Sequence, residues 1–239
     1  MTLSLVIPFH NEISQLDHTL RQLKKLKKEI KEIDLIFIDD FSNDTSYEYL
    51  KKITKNEKKI QIIQNKKKGI SYAIQEGIKK SRSKFICIFM CDMSDDIKDV
   101  VKYYKTIKSK KVDVVFGSRF VSKSKVKNYP LFKLIINRIA NNIIKLIFFS
   151  DYNDFTNAFK IYNRKCLLNL FPLVSESFNL FLELSLKIIT RDYKYHIIPV
   201  NWTERKKGKS KFKINELGSK YLFILLYCLL EKILLKKKK

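Results

Sequence analysis

The chain has 239 residues, enough for one large α/β domain with a substantial core. A hydrophobic content of 45% and an aromatic content of 13% exclude an intrinsically disordered protein. The net charge of +25 predicts attraction to polyanions such as nucleic acid, anionic lipid or phosphorylated ligands. The abundance of Lys, Ile and Asn is equally consistent with codon bias, in which case much of the lysine is solvated filler.

The four cysteines form no CxxC pair and no Cys/His cluster, so neither a zinc site nor a disulfide framework is indicated. We therefore expect reduced, cytoplasmic thiols. The N-terminus enters an apolar strand at once, without the basic and long apolar regions of a signal peptide.

Apolar segments with strand character alternate with helical periodicity through the first half of the chain. The predicted strands are Leu3–Pro8, Asp34–Ile38, Ile60–Gln64, Phe85–Met90 and Val112–Phe116. The predicted helices follow Leu16–Leu26, Thr45–Ile53, Gly69–Lys80 and Asp99–Lys108. Such alternation implies right-handed crossovers and a mostly parallel sheet with helices on both faces.

The second half of the chain contains more amphipathic and apolar segments. Leu131–Phe149 predicts an amphipathic helix, with packing on the core and insertion at a membrane interface as open alternatives. Residues 178–190 predict a further helix, and His196–Trp202 predicts a strand.

The C-terminus carries an apolar run, Tyr221–Leu230, of about ten residues, followed by Ile233–Leu235 and four lysines. The run is short of the roughly 20 residues that span a bilayer. It predicts an in-plane anchor with a basic end near anionic headgroups, while packing on its own domain or on a partner subunit is the alternative. We expect a catalytic domain over residues 1–212 and a hydrophobic, lysine-ended, membrane-associating helix over residues 213–239.

Three groups of acidic residues follow predicted strands, where parallel sheets bind ligands. They are Glu12, then Asp39 and Asp40 with Asp44, then Asp92 with Asp95 and Asp96. A divalent cation bridging to a diphosphate would offset the repulsion among such carboxylates. Helix N-capping is the alternative, mainly for Asp44 and Asp95, whereas Asp40 and Asp92 are the better site candidates.

A series of ordered motifs resembles family-2 glycosyltransferases with the GT-A fold, and most closely the dolichyl- and polyprenyl-phosphate sugar synthases. The first two are VIPFHNE (6–12) and IDDFSNDTS (38–46). The remaining motifs are GISYAIQEG (69–77), CDMSDD (91–96), GSRF (117–120), DFTNAFK (154–160) and the stretch from Val200 to Phe212 that includes Trp202, Arg205, Gly208, Ser210 and Lys211. They cover nearly the whole chain.

The resemblance implies roles for particular residues. The donor nucleotide would contact Pro8, Phe9, Asn11, Glu12, Asp39, Asp40, Gly69 and Asp92. Mg²⁺ or Mn²⁺ would be held by Asp92, with Ser94 and Asp95 as supplementary ligands. The acceptor phosphate would be bound by Arg119, Arg205, Ser210 and Lys211, and the catalytic set would be Asp92, Arg119, Arg205 and Lys211.

One position departs from the family pattern. The first aspartate of the metal-binding D-x-D falls at Met90, so Asp92 alone remains of the pair. Because Mg²⁺ commonly uses one or two carboxylates plus substrate phosphates, we still expect the metal. A catalytically inactive binding module is the alternative that this substitution leaves open.

The implied reaction is inverting transfer of a sugar from a nucleoside-diphosphate sugar to a polyprenyl phosphate at the cytoplasmic membrane face. A phosphate acceptor is already ionised and needs no strong base, whereas a hydroxyl of a lipid-linked saccharide or polysaccharide would need one, with Asp154 or Asp95 as candidates. No helix-turn-helix, zinc-finger or RNP motif supports nucleic acid as a partner. A homo-oligomer and a membrane-protein partner both stay open.

Overall fold

A seven-stranded sheet forms the centre of the protein in a computed structural model that describes residues 2–204 and 214–236. The strands are β1 (Leu3–Phe9), β2 (Ile33–Asp39), β3 (Ile60–Gln64), β4 (Phe85–Ile88), β5 (Val114–Ser118), β6 (Val126–Lys127), β7 (Lys160–Asn163), β8 (Tyr195–Pro199) and β9 (Trp202–Thr203). The helices are α1 (Ile13–Glu29), α2 (Ser46–Ile53), α3 (Ile70–Lys80), α4 (Lys98–Lys110), α5 (Leu131–Phe148), α6 (Arg164–Asn169), α7 (Leu180–Thr190) and α8 (Ile214–Lys236).

The strand order of the large sheet is β3-β2-β1-β4-β7-β5-β8, and β6 pairs with β9 in a separate two-stranded sheet. Within the large sheet, β7 runs antiparallel to both of its neighbours, while the other strand pairs are parallel. The prediction of a mostly parallel α/β sheet is therefore confirmed. The reversed strand places the turn before β7 at the edge where the parallel strands β4 and β5 end.

Helices pack on both faces of the sheet, as the alternating sequence predicts. On one face, Leu16 and Leu23 of α1 pack with Val100 of α4 against the inward side chains of β1 and β2. On the other face, Ile74 of α3 and Leu184 of α7 contribute to a second core. Because both faces are covered, β1 and β2 are buried along their whole length, which explains their nearly continuous apolar sequence.

Helices α5 and α8 pack beside α7 and leave much of their surface exposed. α8 buries Ile224 and Cys228, and α5 buries Asn141, Ile144 and Phe148. Within residues 2–204 and 214–236, none of the helices combines the length and the apolar character that a membrane crossing demands. The proposed division of the chain at residue 212 stays a prediction.

Several elements differ from the sequence prediction, which did not include β6 or α6. Strand β7 was not predicted, because its four residues begin with a lysine, Lys160, that is fully buried in the structure. The strand predicted over His196–Trp202 is divided, since β8 ends at Pro199 and β9 begins at Trp202 in the other sheet.

Gly77 lets α3 lie close against β1 and β2. A Cβ atom at this position would be 2.5 Å from Val6 Cγ1 and 2.7 Å from Ile38 Cδ1. We predict that Gly77→Ala lowers the free energy of unfolding by about 1–3 kcal/mol through overpacking, despite the higher helix propensity of alanine. Urea denaturation followed by circular dichroism measures the change.

Gly218 of α8 provides the matched control, because a Cβ atom there meets nothing within 4 Å. Gly218→Ala should raise the stability of the protein by about 0.5–1 kcal/mol through helix propensity alone. Equal effects of the two substitutions would contradict the close packing of α3 on the sheet.

Candidate active site

The predicted donor-binding residues lie at the C-terminal ends of β1 and β2. Pro8 and Phe9 end β1, and Asp39 ends β2 with its side chain almost completely buried. Asp39 Oδ1 accepts a hydrogen bond of 3.1 Å from the backbone N–H of Ser42, so this carboxylate shapes the loop after β2. Asp40 directly follows β2 and is half-buried.

The Asp40 carboxylate is held by the segment that leads into α3. Its Oδ1 accepts hydrogen bonds from Gly69 N at 2.7 Å and from Asn65 Nδ2 at 2.9 Å. Gly69 has a φ of 134°, and a Cβ atom there would be 2.9 Å from the carbonyl oxygen of Glu176. Glycine is therefore required at position 69. Asn65 was missed by the sequence analysis, although a polar residue directly after a strand of this sheet edge was a usable signal.

Asn11 and Glu12 connect the loop after β1 to the loop after β2. The backbone N–H of Asn11 donates to Ser42 Oγ at 2.9 Å, and Asn11 Oδ1 accepts from Asn43 N at 2.8 Å. The backbone N–H of Glu12 donates to Ser46 Oγ at 3.0 Å. These contacts fix the two loops relative to each other, so the predicted donor side of the site is pre-organised.

The predicted metal residues lie in the loop after β4, next to β1 in the sheet. Asp92 Oδ1 accepts a hydrogen bond of 3.1 Å from Ser94 N. Asp95 is 4% exposed, and its Oδ1 has no hydrogen-bond partner among the described residues. Burial, together with the charge of Asp92, raises the pKa of Asp95 to about 8. Met90, in place of the family aspartate, packs against the core.

The residues of this loop fit a divalent cation only in combination with a substrate. Within residues 2–204 and 214–236, no three His, Cys, Asp or Glu side chains gather into a group that could hold a metal by themselves. Asp92 and Asp95 are nevertheless hard oxygen donors of the kind that Mg²⁺ uses with phosphate oxygens, and Asp95 has a buried oxygen with no partner among the described residues.

Arg119 forms a buried ion pair with Asp154. Its Nε donates to Asp154 Oδ2 at 2.9 Å, its Nη2 donates to Oδ1 at 2.7 Å, and its backbone N–H also donates to Oδ2 at 2.9 Å. Burial alone would lower the pKa of Arg119, but the adjacent Asp154 carboxylate holds it above its usual value. Both oxygens of Asp154 are thus engaged, which the sequence did not reveal.

Aromatic rings surround the guanidinium of Arg119. Its Cζ lies 5.3 Å from the ring centroid of Phe120 and 5.7 Å from those of Tyr129 and Trp202. The backbone N–H of Trp202 also donates to the carbonyl oxygen of Lys125 at 2.9 Å, and Asp95 forms an isolated β-bridge with Trp202. The residues around Trp202 therefore connect the loop after β4, where the metal is predicted, to Arg119.

A cavity of about 340 Å³ opens beside Asp95, close to the point where the chain continues towards residue 205. Its wall includes Ser94, Asp95, Lys125, Lys127, Asn201 and Thr203. Three residues predicted to bind the acceptor phosphate, Arg205, Ser210 and Lys211, lie outside the described residues, so their role stays a prediction.

Lys160 is a buried lysine beneath the Arg119–Asp154 pair. Its Nζ donates to the carbonyl oxygens of Asn157 and Phe155, in the turn that carries Asp154. Burial lowers the pKa of Lys160 to about 7, although Asp154 and Asp95 oppose the shift and Arg119 adds to it. Lys160 ends the DFTNAFK motif, and no role was predicted for it from the sequence.

Residues 4–171 match the family described as Glycosyl transferase family 2. The chain belongs to this family. It is therefore a glycosyltransferase, as predicted. The dolichol-phosphate mannosyltransferase of Pyrococcus furiosus is 24% identical over 217 residues, which is 89% of this chain and 60% of that protein. The uncharacterized protein MJ1222 of Methanocaldococcus jannaschii is 28% identical over 230 residues, 93% of this chain and 90% of that protein.

Two proteins of known structure share the fold. Glucosyl-3-phosphoglycerate synthase of Mycobacterium tuberculosis, in complex with Mn²⁺, UDP and glucosyl-3-phosphoglycerate, superposes with a TM-score of 0.72 at 12% identity, over 95% of this chain and 80% of that one. Residues 1–349 of TarS from S. aureus, in complex with UDP-GlcNAc, give a TM-score of 0.65 at 14% identity, over 97% and 66%. The predicted GT-A fold is confirmed.

We predict that Lys160→Met flattens the pH dependence of stability above neutral pH. In the wild type the folded-state pKa of Lys160 is about 7, below the ordinary value of 10.5, so the unfolded chain binds more protons between these values. Stability contributed by this site therefore rises with pH through that window, by up to about 1.4 kcal/mol per pH unit.

Urea unfolding at pH 7, 8 and 9 measures the effect, with the exposed lysine of α6 in Lys165→Met as the control. The difference in stability between wild type and Lys160→Met should grow with pH, and that for Lys165→Met should stay constant. Parallel curves for the wild type and Lys160→Met would show that Lys160 is not buried in a neutral state.

Proposed function

We propose that this glycosyltransferase transfers a sugar from a nucleoside-diphosphate sugar to a polyprenyl phosphate at the cytoplasmic face of a membrane. Similarity to the Pyrococcus dolichol-phosphate mannosyltransferase, of which the chain spans 60% of the length, supports the acceptor class. The four free, buried cysteines are compatible with a reducing compartment.

One observation carries the proposal: α5 and α8 together expose a large apolar surface, far beyond the scattered apolar residues of ordinary protein surfaces. On α5 and its C-cap the exposed residues are Leu131, Phe132, Ile135, Ile136, Ile139, Ile143, Leu146 and Phe149. On α8 they are Leu222, Phe223, Leu226, Leu230, Ile233, Leu234 and Leu235. We call these side chains the apolar surface.

The two halves of the apolar surface adjoin. Lys232 of α8 donates from Nζ to the carbonyl oxygen of Phe148 at 2.7 Å and lies 5.2 Å from the ring centroid of Phe149. Two lysines of α5, the half-buried Lys133 and the exposed Lys145, accompany the apolar side chains. Apolar helices with basic residues at their borders bind the interface of anionic bilayers, where a polyprenyl phosphate presents its headgroup.

The donor side of the proposed site consists of the loops after β1, β2 and β4. Asp40, held by Gly69 and Asn65, would bind the nucleoside. Asp92, with Ser94 and Asp95 beside it, would hold Mg²⁺ or Mn²⁺, which when bound neutralises charge on the leaving diphosphate. The Mn²⁺ and UDP in the M. tuberculosis synthase support this assignment.

In the proposed reaction a phosphate oxygen of the acceptor attacks the anomeric carbon, and the bond from that carbon to the nucleoside diphosphate breaks with inversion. The nucleophile is already ionised, so positioning and charge neutralisation do the work. Among the described residues, we assign Arg119 to bind the acceptor phosphate. Asp154 fixes the plane of its guanidinium group.

A hydroxyl acceptor is the second candidate, and it requires a general base. Asp154 is poorly suited, because both of its oxygens accept hydrogen bonds from Arg119. Asp95 is the better candidate, since its buried Oδ1 has no partner among the described residues. If the acceptor is a hydroxyl, substitution of Asp95 would remove the base that activates it. If the acceptor is a phosphate, no base is needed and none is lost.

Transfer of radiolabel from GDP-mannose, UDP-glucose or UDP-GlcNAc to polyprenyl phosphate in vesicles with Mg²⁺ tests the proposal. We predict that one donor labels the lipid and that Asp92→Asn lowers kcat by about 100-fold, the scale at which one electrostatic contact to the reacting groups acts. Asp96→Asn is the matched control, since Asp96 caps the backbone N–H of Lys98 at 3.0 Å and an amide preserves that contact.

Absence of label from every donor, with consumption of a donor only when saccharide acceptors are added, would replace polyprenyl phosphate by a hydroxyl acceptor. Equal activity of Asp92→Asn and Asp96→Asn would remove Asp92 from the site.

Membrane association is tested by flotation with vesicles that contain phosphatidylglycerol. Leu146 is 73% exposed and Leu226 is 50% exposed, and we predict that aspartate at both positions weakens binding by at least about tenfold, since one buried leucine is worth roughly 1.5–3 kcal/mol. Ile53→Asp is the control, because Ile53 is an exposed apolar residue of α2, outside the apolar surface. Unchanged flotation of the double variant would refute membrane docking through α5 and α8.

A further inference from the structure

The inner face of α5 contains an unusual residue for a helix whose outer face is apolar. Of its 18 residues, α5 buries the side chains of Asn141, Ile144 and Phe148, and Asn141 is completely inaccessible to solvent. Burial of an amide is costly unless its hydrogen bonds are satisfied. The complete burial of Asn141 therefore requires hydrogen-bond partners for its amide group.

Asn141 bonds both to its own helix and to the turn before β7. Its Nδ2 donates to the carbonyl oxygen of Asn137 at 2.8 Å, one helical turn earlier. Its Oδ1 accepts from the backbone N–H of Phe155 at 2.6 Å. Because Phe155 is itself completely buried, an apolar residue at position 141 would leave that N–H without this partner.

Two neighbouring side chains of α5 hold the same turn. Asn137 Nδ2 donates to Thr156 Oγ1 at 3.0 Å, and Arg138 Nη1 donates to the carbonyl oxygen of Asn153 at 2.9 Å. The polar side of α5 thus contacts residues on both sides of Asp154 in the sequence. Among these contacts, the bond from Asn141 is the shortest and the most buried.

The turn held by α5 determines the position of Arg119. Asp154 lies within it, is completely buried, and accepts hydrogen bonds from two guanidinium nitrogens of Arg119. A displacement of this turn would rotate the carboxylate and the guanidinium together, because the pair is bidentate. Helix α5 is therefore connected to Arg119 through two contacts, the hydrogen bond from Phe155 N–H to Asn141 and the ion pair between Asp154 and Arg119.

We propose that Asn141 is a positioning residue for the acceptor side of the site, and that it acts on Arg119 through the turn 153–156 and its Asp154 carboxylate. The inference rests on the proposed function, in which Arg119 faces the acceptor phosphate. It also gives α5 two roles, since the helix that exposes apolar side chains on its outer side orients the site from its inner side.

The test compares Asn141→Leu, which removes the acceptor for Phe155 N–H at similar volume, with Asn141→Asp, which keeps an oxygen there. Asn142→Ala is the matched control, because Asn142 is the next residue of the helix, is exposed, and accepts one bond of 3.3 Å from Arg138. Steady-state kinetics with polyprenyl phosphate give KM for each substrate, and hydrogen–deuterium exchange reports on the peptide 150–160.

For Asn141→Leu we expect the acceptor KM to rise about tenfold, the donor KM to stay within about twofold, and exchange in 150–160 to accelerate. Asn141→Asp should recover most of the acceptor affinity, and Asn142→Ala should match the wild type. A merely structural defect would lower the amount of active enzyme and leave both KM values unchanged.

Wild-type acceptor KM in Asn141→Leu would overturn the inference, and so would a parallel rise of both KM values. A wild-type enzyme that transfers no sugar to polyprenyl phosphate would instead refute the proposed function. In that case exchange in 150–160 decides the inference, with unchanged exchange in Asn141→Leu overturning it.

Discussion

The ion pair between Arg119 and Asp154 joins the end of β5 to the turn before β7, and the acceptor side of the proposed site depends on it. Removal of either partner would leave an uncompensated charge in a buried environment, at a cost of about 3–5 kcal/mol. Two other residues hold the turn that carries Asp154: Lys160 donates to the carbonyl oxygen of Phe155, and Asn141 of α5 accepts from the backbone N–H of Phe155. The sheet topology makes this ion pair possible, because the antiparallel direction of β7 brings the turn that carries Asp154 to the edge where β5 ends.

Much of the proposed donor side could be predicted from the sequence, because its determinants are local. Apolar strands followed directly by acidic residues place Asp40 and Asp92 at one edge of a parallel sheet, whatever the detailed packing. Gly69 could be predicted for the same reason. A glycine before a helix at this edge allows the backbone to approach the carbonyl oxygen of Glu176 closely, as the structure shows. The ordered motifs add the family, which the match over residues 4–171 confirms.

The proposed acceptor side depends on contacts between distant residues and could not be predicted in the same way. Arg119 and Asp154 are 35 positions apart, and nothing in their neighbouring residues indicates that each satisfies the other. Lys160 would be expected at the surface because lysine is rarely buried, yet it lies in a central strand. Asn141 would be assigned to the polar stripe of an amphipathic helix. In all three cases, a polar residue is buried because its partner comes from another element.

The chemical linkage in the lipid product tests the central claim most directly, since it distinguishes a phosphate nucleophile from a hydroxyl. The purified product of this enzyme, vesicle-bound polyprenyl phosphate and the active donor would be analysed by mass spectrometry before and after mild acid. The account predicts one sugar joined to the lipid phosphate and released by mild acid as the free sugar, with polyprenyl phosphate regenerated. An unmodified polyprenyl phosphate, with the sugar transferred only when a saccharide acceptor is added and held there by an acid-stable glycosidic bond to a hydroxyl, would contradict it.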